Sequence, residues 1–402
     1  MKCEWTETTV GDFSEINPKE TIAKGQLAKK IGMENLQPFC RDITSFDVEP
    51  FSGGAKFRNG DTVMARITPC LENGKTSKVN ILDEGEVAFG STEYIVFRAK
   101  EGISDPDFLY YLICSPYIRE IAIKSMVGSS GRQRVQQDVV ANTKILVPEI
   151  RAQRVIGSYL KMYDDQIALL KKANILLDEQ ARAIYDAWFV SFIPFDGVCP
   201  KDWEETVLGR IAEIKTASFN PLKNPGVIVE HYSIPSYDDK HYPVFEDSSN
   251  IKSNKYILNH NSLLISKLNP ETKRIWRPLI LTEMAVCSTE FIVFESKKRN
   301  QKDFLYSIMN SDAFSNYLCT HVTGSTGSRQ RAIPKETLKL DIVLPPEKII
   351  EDFCKLVTPL YDLIDKNLIE IEQLTQARNQ LLVKLISGQL DVSEVEEAPE
   401  RM

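Results

Sequence analysis

Residues 91–97 read Ser-Thr-Glu-Tyr-Ile-Val-Phe, and residues 288–294 read Ser-Thr-Glu-Phe-Ile-Val-Phe. Other blocks recur in the same order: Trp5 as Trp203, residues 107–111 (DFLYY) as 303–307 (DFLYS), and residues 128–134 (GSSGRQR) as 324–331 (GSTGSRQR). The offset between matching positions stays between 196 and 198 residues. Solenoid repeats have periods of roughly 20–50 residues. The pattern therefore indicates the tandem duplication of one whole domain with its flanking segment.

Two copies of one domain present two similar surfaces, as dimeric DNA readers present two subunits to two half-sites. Between the matching blocks, the copies differ in length and in sequence. We therefore expect them to share a scaffold and to contact different targets.

The composition is that of an ordinary globular chain, with 43% apolar and 26% charged residues among 402. The eight cysteines are dispersed without a Cys-x-x-Cys pair, which argues against a disulfide framework or a zinc site and favours the cytoplasm. All four histidines lie in the second half, so no duplicated histidine-based site is possible. We expect no membrane span and no signal peptide.

The net charge of −7 argues against nonspecific coating of nucleic acid. Part of the acid is concentrated in residues 394–400 (EVEEAPE), and this tail is predicted to be disordered and solvated.

Each half begins with a strand-rich globular segment. Residues 61–67, 86–89 and 94–97 of the first half are predicted strands, with a turn-rich stretch at residues 68–75. Asp105 and Pro106 predict a helix start, with Asp105 as the cap. The apolar residues that continue this helix at helical spacing are Phe108, Leu112, Ile113, Tyr117 and Ile121. Residues 144–148 are a further predicted strand.

Each half ends with a long heptad pattern. In the first half, Ile156, Tyr163, Leu170, Leu177 and Ile184 recur every seven residues, and a second set fills the other seam position. Five heptads in each half predict two helices that pair as a coiled coil. The alternative is that each helix packs only on its own domain.

One antiparallel register places Ile156 opposite Leu385 and brings most apolar seam residues together. In this register Trp188 lies opposite Phe353, Tyr163 opposite Arg378, and Asn174 opposite Asn367. A buried asparagine pair fixes the register, because sliding would leave each amide without its partner.

Motifs of common enzymes are missing from the sequence. It contains no Gly-x-x-x-x-Gly-Lys-Ser/Thr loop, no Gly-x-Gly-x-x-Gly, no His-Glu-x-x-His and no Asn/Asp-Pro-Pro-aromatic tetrapeptide. We therefore expect no catalytic residue, no metal site and no cofactor.

The first candidate binding element is the repeated Arg-Gln-Arg segment. Arginine suits bidentate contact with phosphate or guanine, and glutamine suits adenine. The predicted DNA-contacting residues here are Arg132, Gln133, Arg134, Arg329, Gln330 and Arg331. The alternative is a structural loop whose arginines cap a helix or pair with acids.

The second candidate element is the loop that follows Arg66 in the first copy and Lys267 in the second. These loops differ between the copies but remain basic, as expected where two different sequences are read. The candidates are Arg66, Asn73, Lys75, Lys78, Lys267, Lys273, Arg274 and Arg277. The alternative is a pair of solvated hairpin tips.

These blocks resemble the specificity subunit of type I restriction–modification systems. The resemblance covers almost the whole chain, including residues 60–75, the Arg-Gln-Arg segments, the helix from Pro148 to Phe189 and residues 385–390 (LISGQL). It implies an α+β fold in which a mixed α/β target-recognition domain and a long helix are duplicated, with the helices pairing as an antiparallel coiled coil.

The resemblance implies five segments: recognition domain 1–148, helical spacer 149–190, recognition domain 191–345, helical spacer 346–390 and acidic tail 391–402. Each recognition domain would read one part of a bipartite site in double-stranded DNA. The helices would dock two methyltransferase subunits, which bind S-adenosylmethionine, and restriction subunits would join them. The chain itself would catalyse nothing.

Two alternatives remain open at this stage. One is an enzyme, a nuclease or methyltransferase with cryptic catalytic residues. The other is an assembly protein that does not read DNA directly.

Overall fold

The computed structural model describes residues 4–324 and 330–398. The chain divides into two compact units: unit 1 contains the chain up to Leu169 and again from Ile371, and unit 2 is Leu170–Glu370. Two helices of 40 residues, Ile150–Phe189 and Glu347–Ile386, each contribute one part to each unit.

Unit 1 is a mixed domain with two four-stranded sheets, in the orders β2-β9-β6-β7 and β4-β3-β8-β5, and with a terminal ribbon β1-β10. Its strands are β1 (Trp5–Thr9), β2 (Ser14–Ile16), β3 (Leu27–Ile31), β4 (Asp47–Pro50), β5 (Lys56–Phe57), β6 (Thr62–Ala65), β7 (Thr76–Lys78), β8 (Ala88–Gly90), β9 (Tyr94–Ala99) and β10 (Lys144–Pro148). Its short helices are α1 (Val10–Phe13), α2 (Pro106–Cys114), α3 (Pro116–Lys124) and α4 (Gln137–Ala141).

Strand β6 is buried on both faces because it lies inside a sheet that is covered on both sides. Alternate side chains of a strand point to opposite faces. Met64 accordingly packs with Phe108 in a core shared with the long helices, and Val63 packs with Phe57 in a second core towards the other sheet.

Unit 2 repeats this plan. Its strands are β11 (Glu204–Val207), β12 (Ala212–Lys215), β13 (Ser218–Phe219), β14 (Ile228–Tyr232), β15 (Val244–Asp247), β16 (Lys255–Ile257), β17 (Ser262–Ser266), β18 (Ile275–Trp276), β19 (Ala285–Ser288), β20 (Phe291–Ser296), β21 (Val322–Thr323), β22 (Arg331–Ala332) and β23 (Asp341–Leu344). Its short helices are α6 (Ile234–Lys240), α7 (Lys302–Met309), α8 (Asp312–Thr320) and α9 (Pro334–Thr337).

The sheet orders in unit 2 are β12-β20-β17-β18 and β13-β16-β19-β14-β15, with ribbons β11-β23 and β21-β22. Strand β17 stands where β6 stands in unit 1, and each second sheet contains one parallel pair, β3-β8 or β14-β19. The two copies therefore share their topology, and the predicted duplication is confirmed.

The predicted helix start at Asp105 is confirmed, because its side chain accepts from the backbone N–H groups of Asp107 and Phe108. The expectation of one continuous helix behind it is wrong. Ser115 ends α2 and caps α3, and Pro116 opens the new helix without an N–H to donate. The chain turns there, and Tyr117 is 55% exposed.

The long helices are α5 (Ile150–Phe189) and α10 (Glu347–Ile386). In unit 1, Ile156 and Leu160 of α5 share a core with Leu385 and Leu381 of α10. In unit 2, the Trp188 ring lies 6.1 Å from that of Phe353. Residues near the start of α5 therefore lie beside residues near the end of α10, and residues near the end of α5 lie beside residues near the start of α10. The paired segments run antiparallel, as predicted.

The predicted asparagine pair forms within unit 2. The Asn367 Nδ2 donates to Asn174 Oδ1 at 2.7 Å, and Asn367 is only 7% exposed. In unit 1 the Arg378 guanidinium, which the predicted register places opposite Tyr163, pairs with Asp164, the next residue along α5. The Tyr111 hydroxyl also donates to Asp164, at 2.6 Å, so this buried carboxylate has two partners.

In the acidic tail, predicted from residues 394–400 to be disordered and solvated, Glu394, Glu396 and Glu397 are exposed, but the backbone is held against unit 1. Val392 and Ala398 are buried, and the Ala398 N–H donates to Ser158 Oγ of α5 at 2.9 Å. The turn that starts this return passes through Gly388, whose φ is +70°. A Cβ at Gly388 would lie 3.0 Å from the Trp5 ring, so the end of α10 lies against β1.

Candidate nucleic-acid interface

In unit 1, backbone hydrogen bonds bring both predicted binding elements together. The Arg66 N–H donates to the carbonyl of Glu93 at 2.9 Å, and the Val135 N–H donates to the carbonyl of Arg66 at 2.8 Å. The Thr68 N–H donates to the carbonyl of Gln133 at 3.0 Å. The loop after β6, the Ser-Thr-Glu turn and the Arg-Gln-Arg segment thus form one three-part junction.

Unit 2 repeats the junction bond for bond. The Lys267 N–H donates to the carbonyl of Glu290 at 2.8 Å, and the Ala332 N–H donates to the carbonyl of Lys267 at 2.9 Å. The Asn269 N–H donates to the carbonyl of Gln330 at 3.0 Å. Because the backbone pattern is the same in both copies, the differences between the junctions lie in their side chains.

An arginine–glutamate pair locks each junction. The Arg134 Nη2 lies 2.6 Å from Glu93 Oε1, and the Arg331 Nε lies 3.1 Å from Glu290 Oε2. The hydrogen bonds from Arg134 hold the pKa of Glu93 below its usual range. The last arginine of the motif therefore has the structural partner that the alternative interpretation of this loop foresaw.

The remaining side chains of the motif are differently placed. Arg132 is exposed, and no side chain in the described parts of the chain pairs with its guanidinium. Gln133 and Gln330 are half-buried, and their backbone carbonyls accept the bonds described above. Arg329 lies outside the described residues. Contact of these side chains with DNA stays a prediction.

In the first-copy loop, both predicted lysines are used internally. The Lys75 Nζ donates to the carbonyl of Met33 at 2.7 Å, and Lys78 pairs with Asp107. Asn73 is exposed at the tip of the loop. Of these three candidates, Asn73 is the side chain most available to a ligand.

In the second-copy loop, Lys273 donates to the carbonyl of Asn310 at 2.6 Å, and burial lowers the pKa of its ammonium. Arg274 forms two contacts with Asp238, at 2.6 and 2.9 Å. Both cations hold the loop against neighbouring segments of unit 2. The half-buried Lys267 stands at the position of Arg66, at the centre of the junction.

The Arg277 side chain is only 12% exposed. Its guanidinium lies 2.7 Å from Asp303 and 2.5 Å from Asp365. The register of β6 with β7 and of β17 with β18 makes Arg277 the equivalent of Lys78, and their partners Asp303 and Asp107 are equivalent too. This repeated ion pair ties each central sheet to the helix that follows it.

Two features of the junctions were not assigned from sequence. The anchoring carboxylates Glu93 and Glu290 stand in the repeated Ser-Thr-Glu block, so the retained acid was the available signal. Phe39 is 58% exposed with φ of +54°, and the Arg119 guanidinium lies 4.9 Å from its ring centre. A single aromatic residue in a loop carries no comparable sequence signal.

Across residues 4–324 and 330–398, no group of three or more histidine, cysteine, aspartate or glutamate side chains is placed to hold a metal ion.

None of the helices in this described part has the length and apolar character needed to cross a membrane.

Comparison with known proteins places the chain among relatives. The family model described as Type I restriction modification DNA specificity domain matches residues 2–179 and again residues 200–373. The type I restriction enzyme MjaIX specificity subunit of Methanocaldococcus jannaschii is 27% identical, over 74% of this chain and 71% of that protein. The HindI specificity subunit of Haemophilus influenzae is 24% identical, over 86% of this chain and 90% of that protein.

A solved structure shares the fold. The crystal structure of a type I restriction–modification S subunit from M. genitalium aligns with a TM-score of 0.57 and 14% identity. The alignment covers 95% of this chain and 96% of that one.

Proposed function

This chain belongs to the Type I restriction modification DNA specificity family, and from that premise we propose that it is the non-catalytic subunit that selects the DNA sequence. Each junction contacts one part of a bipartite site in double-stranded DNA. The helices α5 and α10 fix the spacing of the two parts and dock two methyltransferase subunits, and restriction subunits join the complex. The chain acts in the cytoplasm, where its DNA is found.

The observation that carries this proposal is the repeated junction with unlike side chains. Equivalent backbone hydrogen bonds hold Arg66 in one copy and Lys267 in the other. Equivalent glutamates, Glu93 and Glu290, anchor the Arg-Gln-Arg segment in the two copies. A constant frame with variable side chains suits the reading of two different base sequences at one kind of groove.

The charge distribution supports a division of labour with partner subunits. The chain has a net charge of −7, and several candidate cations, including Lys78, Arg134 and Arg277, are paired within the protein. Phosphate contacts supply most of the salt-dependent affinity for DNA. We infer that partner subunits supply much of this affinity and that this chain supplies sequence choice.

The outer surfaces of the long helices support subunit docking. Ile175 and Leu176 of α5 are 60% and 55% exposed, and Leu356 and Leu363 of α10 are 47% and 44% exposed. Large apolar side chains exposed on a helix are typical of protein–protein contacts.

The test is a loop exchange in the assembled complex. Residues 267–274 are replaced by the corresponding loop of a related protein, while Arg277 is kept because it pairs with Asp303 and Asp365. Mapping of methylated adenines in host DNA should show one part of the recognised site changed and the other retained. The matched control exchanges residues 66–73 and should change the opposite part. Alteration of both parts by one exchange, or of neither, contradicts the proposal.

A further inference from the structure

The first copy contains a cleft beside its junction, with a volume of about 620 Å³. Arg66 and Thr92 contribute from the junction, and Tyr94 and Val96 contribute from β9. Segments 17–20 and 54–56 complete the walls. Sites for small molecules have volumes of roughly 300–1,000 Å³, so the cleft can hold a group the size of one nucleotide.

Two polar atoms at this cleft are buried without a partner. Neither the Tyr94 hydroxyl nor the Arg66 Nε has a hydrogen-bond partner among the described residues, although Tyr94 is only 3% exposed. Burial raises the pKa of Tyr94 above its usual range, so the hydroxyl stays protonated and can donate. Buried polar groups are nearly always hydrogen-bonded in native proteins. An unpartnered pair at a cleft therefore points to a ligand.

The charge at the cleft favours an anionic ligand. Lys19, Lys56 and Arg66 line it. Glu20 is the acid among its described lining residues, and its carboxylate lies 2.7 Å from the guanidinium groups of both Arg58 and Arg98. The lining cations thus face a carboxylate that is already neutralised.

We propose that this cleft takes one nucleotide unit of the bound DNA, with Arg66 and Tyr94 as its specificity-determining contacts. The guanidinium donates to a base oxygen, and the tyrosine hydroxyl bonds to a polar edge of the same base, since contacts to bases rather than to phosphates carry sequence information. The backbone of Arg66 is held at both N–H and carbonyl, so its side chain starts from a fixed position. This inference rests on the proposed function.

The second copy lacks these groups at the equivalent positions. The Ser-Thr-Glu repeat aligns Tyr94 with Phe291, which has no hydroxyl, and the junction aligns Arg66 with Lys267, which has no planar fork. The contact therefore belongs to the part of the DNA site that the first copy reads.

The experiment uses the full chain assembled with its modification subunits. Tyr94→Phe and Arg66→Gln are compared with Tyr256→Phe, which removes a hydroxyl from a strand of unit 2. Affinity is measured for a duplex with the recognised site and for duplexes altered in either part. We expect Tyr94→Phe and Arg66→Gln each to weaken binding to the recognised duplex on the order of tenfold. We expect discrimination to be lost only in the part read by the first copy.

A stability measurement separates this role from a structural one. Because the Tyr94 hydroxyl is buried without a partner in the free protein, Tyr94→Phe should not lower the melting temperature and should leave it unchanged or raise it. Wild-type affinity and discrimination in both cleft variants would overturn the assignment while leaving the proposed function intact. A wild-type complex that does not distinguish the recognised duplex from a scrambled one would instead overturn the proposed function.

A further arm identifies the source of the nucleotide. Deoxynucleoside monophosphates are titrated into the chain without DNA and followed by calorimetry. We expect no saturable binding that depends on Tyr94. Binding that Tyr94→Phe abolishes, with DNA discrimination retained, would assign the cleft to a free nucleotide and overturn its assignment to DNA.

Discussion

Replacement of Asn174 by leucine is expected to destabilise unit 2, although Asn174 itself is only half-buried. The variant removes the oxygen that accepts from Asn367 Nδ2 at 2.7 Å. Asn367 is 7% exposed, so water has little access to its amide once the partner is gone. A buried polar group without a partner costs about 1–3 kcal/mol. The reciprocal change, Asn367→Leu, should cost less because Asn174 is only half-buried and can be solvated.

The double variant with leucine at Asn174 and Asn367 should recover stability. No amide is then left unsatisfied, and each leucine adds about 1 kcal/mol of apolar burial at a partly covered seam position. The predicted result is a stability equal to or above that of the wild type, by up to about 2 kcal/mol. The register of the helices would be less tightly specified, since hydrophobic layers tolerate sliding better than an amide pair.

Urea unfolding followed by far-ultraviolet circular dichroism measures the cycle of two single variants and one double variant. Gln180→Leu is the matched control, because it makes a similar change at an exposed position of the same helix and should stay within about 0.5 kcal/mol. Methylation of duplexes whose spacer is one base pair longer or shorter should broaden only in the double variant. The reasoning is refuted if Asn174→Leu costs no more than the control, or if the double variant loses the sum of the single losses.

Paired and unpaired cations and the half-buried ring of His231 give three further predictions. Arg132→Ala should lower the slope of log affinity for DNA against log salt concentration by about one, whereas Arg134→Ala should leave the slope unchanged because its charge is held by a glutamate; equal slopes for both variants would contradict this. Arg277→Ala should cost about 3–5 kcal/mol in urea unfolding, because two poorly exposed carboxylates lose their counterion. Arg274→Ala should cost about 1 kcal/mol or less, since its partner Asp238 is 45% exposed. Similar losses for Arg277→Ala and Arg274→Ala would show that burial of the ion pair does not determine the loss of stability. Burial lowers the pKa of His231, so the unfolded state binds a proton first as pH falls, and stability present above about pH 6.5 should decline below it; His231→Asn should flatten that decline, and an unchanged profile would count against the ring as its source.

The pairing of the long helices and the duplication of the domain could be predicted from the sequence, because both produce periodic or repeated patterns in it. The heptads of α5 and α10 place Ile156 and Leu385 in one core without any knowledge of the domains they join. The asparagine pair follows from the same arithmetic, since one register satisfies both amides. Because the domain is duplicated, each sequence block occurs twice, and the second copy supports the prediction made from the first.

The partners of individual charged side chains could not be predicted in this way. Whether an arginine contacts a ligand or an internal acid depends on which elements the fold brings together. Arg277 reaches Asp365, which lies 88 residues later in the chain. Arg378 pairs with Asp164 across 214 residues. The heptad register places Arg378 opposite Tyr163, but it does not indicate that the neighbouring carboxylate is the partner of the guanidinium. The anchoring role of Arg134 was foreseen only as an alternative, because its partner Glu93 lies in a separate block.

The composition of unit 1 from both ends of the chain has a consequence for synthesis. Unit 2 is continuous, whereas unit 1 needs Leu382, Leu385 and the segment up to Ala398 to cover its core. At about 5–20 residues per second, roughly 10–50 s separate translation of residue 169 from that of residue 398. During that interval Asp164 has no Arg378, and the apolar face of α5 in unit 1 has no partner from α10. The domain that the ribosome begins first is therefore the one it completes last, and a message cut short after the second domain yields a chain whose first domain cannot close.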